Sequence, residues 1–441
     1  MNTHLYNEIC RYLRETVKNT EWEGHIYAVG GCIRDEILGR EIKDVDIAVD
    51  IPGGGVGFAR WLHRRRHTLG RPIYFEKYGT AKLVLKRFPH DEIETVQTRA
   101  EKYTKATSRC PEVVAGTIED DCYRRDFTVN TLYKNLATGE ILDITGRGIP
   151  DIQEGILRTP MNPEITFDDD PVRILRCLRF AARFGWKIEP EVMTALNNNI
   201  SRLSIVSKER HRTELGKMVA GNNPVGALTL LCETGAIEYM LPLLRELAKN
   251  KELWRDAVEA ISRIPEEDLP LRFAALFHDI GKLRSRAVNK RGETVYNGHE
   301  IVGADMIRKA LRSAKFEPMV YDEVFRLVRL HHFIDGMGKD GEDMTDRKLR
   351  QLQSECGDID TLRRLMRLYD VINNDGASGS LTRRVLQRTS EMVAESKSGF
   401  SNDNTAETGD TKSEKSGRRR SRSRNRRPNR RRTHKKSHFA R

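Results

Sequence analysis

Val29-Gly30-Gly31-Cys32-Ile33-Arg34-Asp35, followed within one helix's length by Asp44-Val45-Asp46, is the stretch whose reading decides the fold. The apolar run Ile26-Tyr27-Ala28-Val29 predicts a short buried strand, and the two glycines let the backbone turn sharply into a helix beginning near Cys32. Amides at such a helix start face an anion, and the helix dipole favours negative charge there. Asp44 and Asp46 belong to a second strand, Val45-Asp46-Ile47-Ala48-Val49 and its entry, where residues two apart project to one face. Two carboxylates so placed can hold Mg²⁺ ions that also bind the phosphates of a nucleotide. Taken alone, a Gly-Gly is usually a turn, and an Asp-X-Asp is usually a solvated strand end whose acids pair with neighbours such as Arg40 or Lys43. The two in register, with Arg34 one helical turn after the glycines, are much more specific. Glu94, in the predicted strand Ile93-Glu94-Thr95-Val96, is a candidate third acid, although a solvent-facing strand residue accounts for it equally well.

Length and composition leave room for this chemistry. At 441 residues the chain suffices for two or three domains with cores of their own. Its net charge of +13 is misleading, because residues 418–441 hold thirteen Lys or Arg and no acid. Removing them leaves 64 basic residues against 64 acidic ones, so a basic groove in the body has to come from local arrangement. Seven cysteines without a Cys-x-x-Cys pair argue for a reducing compartment and against a disulfide framework or a zinc ribbon. The polar start Met1-Asn2-Thr3-His4 and the lack of a long apolar run argue against a secretory signal or a membrane span, and the expected compartment is the cytoplasm.

The patterning changes three times along the chain. Up to about Gly148, short strand-like runs (Pro72-Ile73-Tyr74-Phe75, Ala81 to Leu85, Ile93 to Val96) alternate with helical ones. From Asp170 the period is helical, with Val172, Leu175, Leu178, Phe180 and Ala181 marking an apolar face, and helices are expected to about Val385. From Ser396 the chain is too poor in apolar residues to fold. The expected fold class is α+β: a small mixed-sheet head (1–150), an all-helical body divided into a neck (151–245) and a second helical domain (246–395), and a disordered basic tail (396–441).

Three further blocks follow in order: Arg124-Arg125-Asp126-Phe127-Thr128-Val129-Asn130, then Asp169-Asp170-Pro171-Val172-Arg173 through Arg176 to Arg179-Phe180, then Glu209-Arg210 with Glu214-Leu215 and Lys217. Together with the glycine and aspartate motifs, they make the region from about 24 to 245 resemble the class II nucleotidyltransferases, the group of CCA-adding tRNA nucleotidyltransferases and bacterial poly(A) polymerases. The resemblance implies that Asp44 and Asp46 are the catalytic, Mg²⁺-holding acids, that Gly30, Gly31, Arg34 and Arg125 contact the nucleotide, and that the helix from Asp170 selects the base. The chemistry is consistent with that. Cytosine and adenine both offer an amine donor beside a ring-nitrogen acceptor, so a carboxylate and a guanidinium side by side, as Asp170 and Arg173 are at i and i+3, match them and clash with uracil and guanine. Arg176 and Arg179 continue that face; spacing alone leaves a solvated helix side equally open, and the preceding Asp-Asp-Pro tips the reading. Asp169 stands where the family commonly has Glu.

Tyr78-Gly79-Thr80-Ala81 and the loop from Glu101-Lys102-Tyr103 through Ser108-Arg109-Cys110-Pro111 to Gly116-Thr117 resemble bacterial CCA-adding enzymes, whereas the Arg-rich tail is a feature that some bacterial poly(A) polymerases share. The loop carries more weight, since a charged tail reports only nonspecific polyanion affinity. The expected partners are tRNA, CTP and ATP, and the expected product is a 3′-terminal CCA; a poly(A) polymerase is the alternative.

Phe277-His278-Asp279-Ile280-Gly281-Lys282, Gly298-His299-Glu300 and Leu330-His331-His332 resemble an HD phosphohydrolase domain, a possible second metal site made of His278, Asp279, His299 and His331. The helix containing Leu253 to Val258 lacks the first histidine such domains supply, and only Asp370 and Asp375 stand near the final ligand position. A structural or RNA-supporting role is therefore favoured over hydrolysis, with a phosphohydrolase that uses the head to bind RNA as the remaining alternative.

Overall fold

In a computed structural model of the chain, residues 1, 3–102, 112–264, 268–337, 344–373 and 378–402 are described. Residues 1–386 form one compact unit and the chain from Gln387 another. The loop between Lys102 and Glu112, Asp375 and the basic tail from 403 lie outside the described residues.

The head is a seven-stranded mixed sheet in the order Ile73–Phe75, Thr80–Leu85, Phe88–Gln97, Val45–Val49, Ile26–Val29, Tyr133–Asn135, Ile141–Leu142. The expected strand Ile26–Val29 is wholly buried and central, antiparallel to both neighbours. That position explains its uninterrupted apolar run, since both faces are covered. Val45–Val49 runs parallel to Phe88–Gln97 in a register that sets Asp46 beside Glu94. Helices Thr3–Val17 and Gly54–Arg64 cover the sheet, burying Tyr6, Ile9, Leu13, Phe58 and Leu62. Gly30 adopts φ +78 at the end of the central strand, a left-handed conformation that glycine takes without strain, and the helix Gly31–Ile37 starts directly after it.

The body is helical apart from two short pairings, Ile156–Leu157 with Lys187–Ile188 and Ala287–Val288 with Thr294–Val295, which the expectation of helices alone did not include. Two of its helices frame the site. The arginine helix, Val172–Phe184, buries Ile174, Leu175, Cys177 and Leu178 and ends at Gly185 with φ +69. The bracing helix, Lys208–Val219, is capped by Ser207, whose hydroxyl accepts from the Arg210 amide. Further along, Leu269–Phe277, His299–Ser313, Pro318–Leu330 and Ile359–Asn373 pack around Phe273, Phe277, Ile307, Leu327 and Leu365. The last described helix, Ser378–Asn402, continues through Ser396, where composition predicted no fold. Among the described residues no helix is long and apolar enough to cross a membrane, and the six described cysteines are free thiols.

Candidate active site

The end of the central strand, the start of its following helix, the arginine helix and the C-terminal end of the bracing helix enclose a cleft of about 640 Å³. Gly30, Gly31, Asp44 and Asp46 line it, as do Arg34, Arg125, Arg176 and Arg179, so eight residues read from separate stretches of sequence converge on one cavity. A Cβ on Gly30 would sit 3.2 Å from an Arg125 guanidinium nitrogen, so a side chain there would press that arginine aside in addition to straining the φ of +78.

The acids are crowded. Asp46 is half-buried with Asp44 just ahead of it and Glu94 alongside, and burial first, then the charges of Glu94 and Asp44, push the Asp46 carboxyl up to about 6. Burial likewise raises Glu94, against the opposing pull of Lys82, whose ammonium lies 3.9 Å away. Neither Arg40 nor Lys43 has an ion pair with these acids among the described residues, so the surface-pairing alternative does not hold here. Asp44 and Asp46, which have no ion pair among the described residues, fit a hard divalent cation, which prefers oxygen ligands, with Glu94 adding negative charge alongside.

Opposite them lies a basic floor whose members differ. Arg34, only 4% exposed, donates to Asp35 at 2.9 Å and to Asn130 Oδ1 at 2.6 Å while its guanidinium stacks 4.8 Å from the Phe184 ring. Arg125 donates to Asp121 at 2.8 Å and to the Tyr133 hydroxyl at 3.1 Å. Arg176 donates to Asp126 at 2.7 Å, and Arg179 to Glu214 on the bracing helix at 2.7 Å. Asn130 closes the chain by donating to Asp126 at 2.9 Å. Arg176 and Asn130 hold the buried Asp126 carboxyl down at about 2. The four arginines singled out from the sequence are thus each neutralised by a carboxylate. Arg40, Lys43, Arg183 and Lys217 also line the cleft and, among the described residues, have no carboxylate partner. These four supply its free positive charge. Arg183 was missed in the sequence, although Arg176, Arg179 and Arg183 share a face at i, i+3 and i+7; Asp126 and Asn130 lay in a quoted motif, but nothing local revealed whom they would meet.

Asp170 and Arg173 turn their side chains to other partners. Asp170 is extended (φ −144, ψ 94) ahead of the arginine helix instead of within it, and both of its carboxylate oxygens accept from Arg210, at 2.7 and 2.6 Å. Arg173, 9% exposed, donates to the backbone carbonyls of Thr166 and Arg124. Neither lines the cleft. The proline at 171 is the physical reason: it starts the helix late, so the i, i+3 relation does not run along a helix face.

The histidines of the second half do meet. Asp279 lies 3.3 Å from His278 Nε2 and 3.1 Å from His299 Nε2, and the His299, His331 and His332 rings sit 4.6 to 5.3 Å apart. His278, His299 and His331 each donate from Nδ1 to the carbonyl three residues earlier, at 2.8, 2.9 and 2.6 Å. Each ring is thereby oriented with Nε2 inward: those of His278 and His299 face Asp279, while the buried Nε2 of His331 has no hydrogen-bond partner. Burial pushes His331 down to about 3, while Asp335 raises His332. Convergent imidazoles beside a carboxylate fit a transition-metal ion. Asp370 instead accepts from Thr382 at 2.6 Å.

Families of known proteins match in the same order. Residues 26–158 match the "Poly A polymerase head domain", residues 185–247 the "Probable RNA and SrmB- binding site of polymerase A", and residues 243–375 the "HD domain". The chain is 37% identical over 216 residues, 46% of its length and 39% of the relative's, to the mitochondrial CCA tRNA nucleotidyltransferase of Saccharomyces cerevisiae. It is 33% identical over 241 residues to the CCA-adding enzyme of Lactiplantibacillus plantarum, covering 54% and 55% of the two chains. It therefore spans about half the length of the curated relatives it matches. The Bacillus stearothermophilus CCA-adding enzyme solved in complex with CTP shares the fold, with TM-score 0.61, 23% identity and coverage of 88% of this chain and 82% of that one. Nucleotidyltransferases of this kind generally use a divalent metal.

Proposed function

We propose that this chain, which belongs to the class II nucleotidyltransferase family, adds C and A from CTP and ATP to the 3′ end of tRNA, releasing pyrophosphate without a nucleic-acid template. The observation that carries the reading is the cleft in which Asp44 and Asp46 face a floor of cations beside the Gly30-Gly31 turn. Asp44 and Asp46, with Glu94 behind them, would hold Mg²⁺, which when bound lowers the pKa of the attacking 3′-hydroxyl and neutralises the leaving pyrophosphate. The amides after Gly30 receive a phosphate at the helix start. Arg40, Lys43, Arg183 and Lys217 meet the triphosphate directly, while Arg34, Arg125, Arg176 and Arg179 shape the floor and add their residual field. Asp170 and Arg173 read the amine and ring-nitrogen edge shared by C and A, which requires Arg210 to release the Asp170 carboxylate and Arg173 to leave its carbonyl partners.

In this reading residues 1–150 are the catalytic head, 151–245 a nucleotide-selecting and RNA-binding neck, 246–395 an HD-like domain and 396–441 a basic tail, and the enzyme works in the cytoplasm. A second reading concerns the HD-like domain alone. The partnerless Nε2 atom of His331 favours a bound metal there, held with His278, Asp279 and His299, over a purely structural role.

The test offers purified protein a tRNA lacking its last three nucleotides, with each nucleoside triphosphate alone and then CTP and ATP together. Growth by three residues followed by arrest is expected. An open-ended A ladder would instead identify a poly(A) polymerase, and RNA processing that survives loss of Asp44 and Asp46 but not of His278 and Asp279 would identify a phosphohydrolase.

A further inference from the structure

The bracing helix has two working faces. Arg210, Glu214 and Lys217 turn toward Asp170, Arg179 and the active cleft, whereas Lys208, His211, Arg212 and Leu215, at i, i+3, i+4 and i+7, form one wall of a separate cavity of about 640 Å³. We propose that this second cavity receives one unpaired base of the bound RNA, with the ammonium groups of Lys208 and Lys309 on the phosphates to either side. The proposal rests on the RNA-substrate reading above and extends it to a place that the transfer chemistry does not use.

Size and lining come first. The volume falls in the range of pockets that bury a small aromatic ligand. Leu215, Met240, Leu243, Met306 and Phe316 give it apolar walls, and Tyr239 adds a ring. Burial and the neighbouring Arg210 keep His211 below its ordinary pKa, so that wall carries a neutral ring, and its Nε2 has no hydrogen-bond partner. Single-stranded RNA is bound in this way, by splaying bases onto aromatic and apolar side chains.

The charges then decide among occupants. Arg212 is held by Glu317 at 2.8 Å and Arg284 by Glu246, so neither guanidinium is free. Lys208, donating only to the Ser313 hydroxyl at 3.3 Å, and the exposed Lys309 have no carboxylate partner among the described residues. They stand on different helices, Lys208–Val219 and His299–Ser313. A free nucleoside triphosphate concentrates its charge at one end and calls for clustered cations, which this cavity lacks. A ribonucleotide within a chain has one charge on each side of its base, and two separate lysines match that. A base already unpaired enters without the cost of leaving a stack. Lys208 and Lys217 are nine residues apart on one helix, so this anchor lies about 14 Å from the cleft.

Ala310 lines the cavity half-exposed, and Ala310→Trp fills it without touching the active cleft. With tRNA lacking its 3′ end as substrate, that variant should raise the KM for RNA about tenfold while kcat and the KM for CTP stay unchanged. The double variant Lys208→Ala/Lys309→Ala, on exposed side chains that folding does not need, should weaken RNA binding and flatten the slope of log KM against log salt by about two. It decides the matter alone if Ala310→Trp does not fold. A wild-type RNA KM and salt slope in both variants overturns the proposal, as does a CMP-binding signal lost in Ala310→Trp with an unchanged RNA KM. A wild-type chain that extends no RNA overturns the functional reading, and this proposal with it.

Discussion

The head cleft and the histidine cluster both leave ligand atoms unpaired, and they do so by opposite means. At the cleft, like charges are crowded: Asp44 and Asp46 line it with Glu94 beside Asp46 on the neighbouring strand, and Asp46 is raised to about 6 because burial and its neighbours oppose ionisation. In the cluster, rings are oriented: three Nδ1 atoms bond to carbonyls three residues back, which aims three Nε2 atoms inward, two at Asp279 and that of His331 at no partner. Crowded carboxylates favour hard cations and preoriented imidazoles favour softer transition metals. One chain thus builds two candidate cation sites with distinct preferences, one from sheet register and the other from helix geometry.

The largest expected effect separates the two by function. Asp44→Ala or Asp46→Ala should lower CMP incorporation at least about a thousandfold, the loss of several kcal/mol of charge stabilisation. His278→Ala and Asp279→Ala should leave incorporation within about twofold. If the histidine variants also abolish incorporation while the protein stays folded, the comparison fails, because the two sites would then be one machine.

Next comes a contrast within the cleft. Arg179 is buried against the equally buried Glu214, so Arg179→Ala leaves an uncompensated carboxylate and should cost about 3 kcal/mol in chemical denaturation. Arg183 has no carboxylate partner among the described residues; Arg183→Ala should hardly move stability but should raise the KM for CTP about tenfold. Equal stability losses in both variants would erase the distinction between paired and free cations.

That distinction also marks how far the sequence could be read. The central strand, the glycine turn and the Asp44/Asp46 strand were legible because each is local: an apolar run, a conformational need and a period of two. The arginine helix was legible from its apolar face, and its Arg row does reach the cleft. What each arginine does there was not, because it depends on partners 35 to 96 residues away, Glu214 for Arg179, Asp126 for Arg176 and Asn130 for Arg34. That Asp170 is held by Arg210, and Arg173 by two backbone carbonyls, was not legible, because Pro171 starts the helix one step late and the partners come from distant segments. Glu94 was undecidable from its own strand, since only the parallel register with Asp46 brings it to the acids.

A metal titration sharpens the comparison from the other side. Mn²⁺ or Ni²⁺ at about a hundred times its dissociation constant should stabilise the metal-free protein by about 2.7 kcal/mol through the histidine cluster. His331→Ala should abolish that gain and leave any Mg²⁺-dependent gain, which belongs to Asp44 and Asp46, intact. Stabilisation by Ni²⁺ that survives His331→Ala would remove the cluster as a metal site.

The smallest effect tests the floor beneath the acids. Asp126 titrates at about 2 in the folded chain against an ordinary 3.8, because Arg176 and Asn130 hold its charged form. A depressed carboxylate contributes stability that is fully present above about pH 4 and lost as pH falls through about 2. The gap in unfolding free energy between wild type and Asp126→Asn should therefore be widest above pH 4 and should narrow by about 2 kcal/mol toward pH 2. Asp46, raised where Asp126 is lowered, gives the opposite sign: its burden on the metal-free fold grows as pH rises from about 4 to about 6, and Asp46→Asn should gain relative stability over that window. Two carboxylates lining one cleft should thus bend the stability profile in opposite directions. If both variants show the same slope, the division of the cleft into a cation-hungry edge and a self-neutralised floor is wrong.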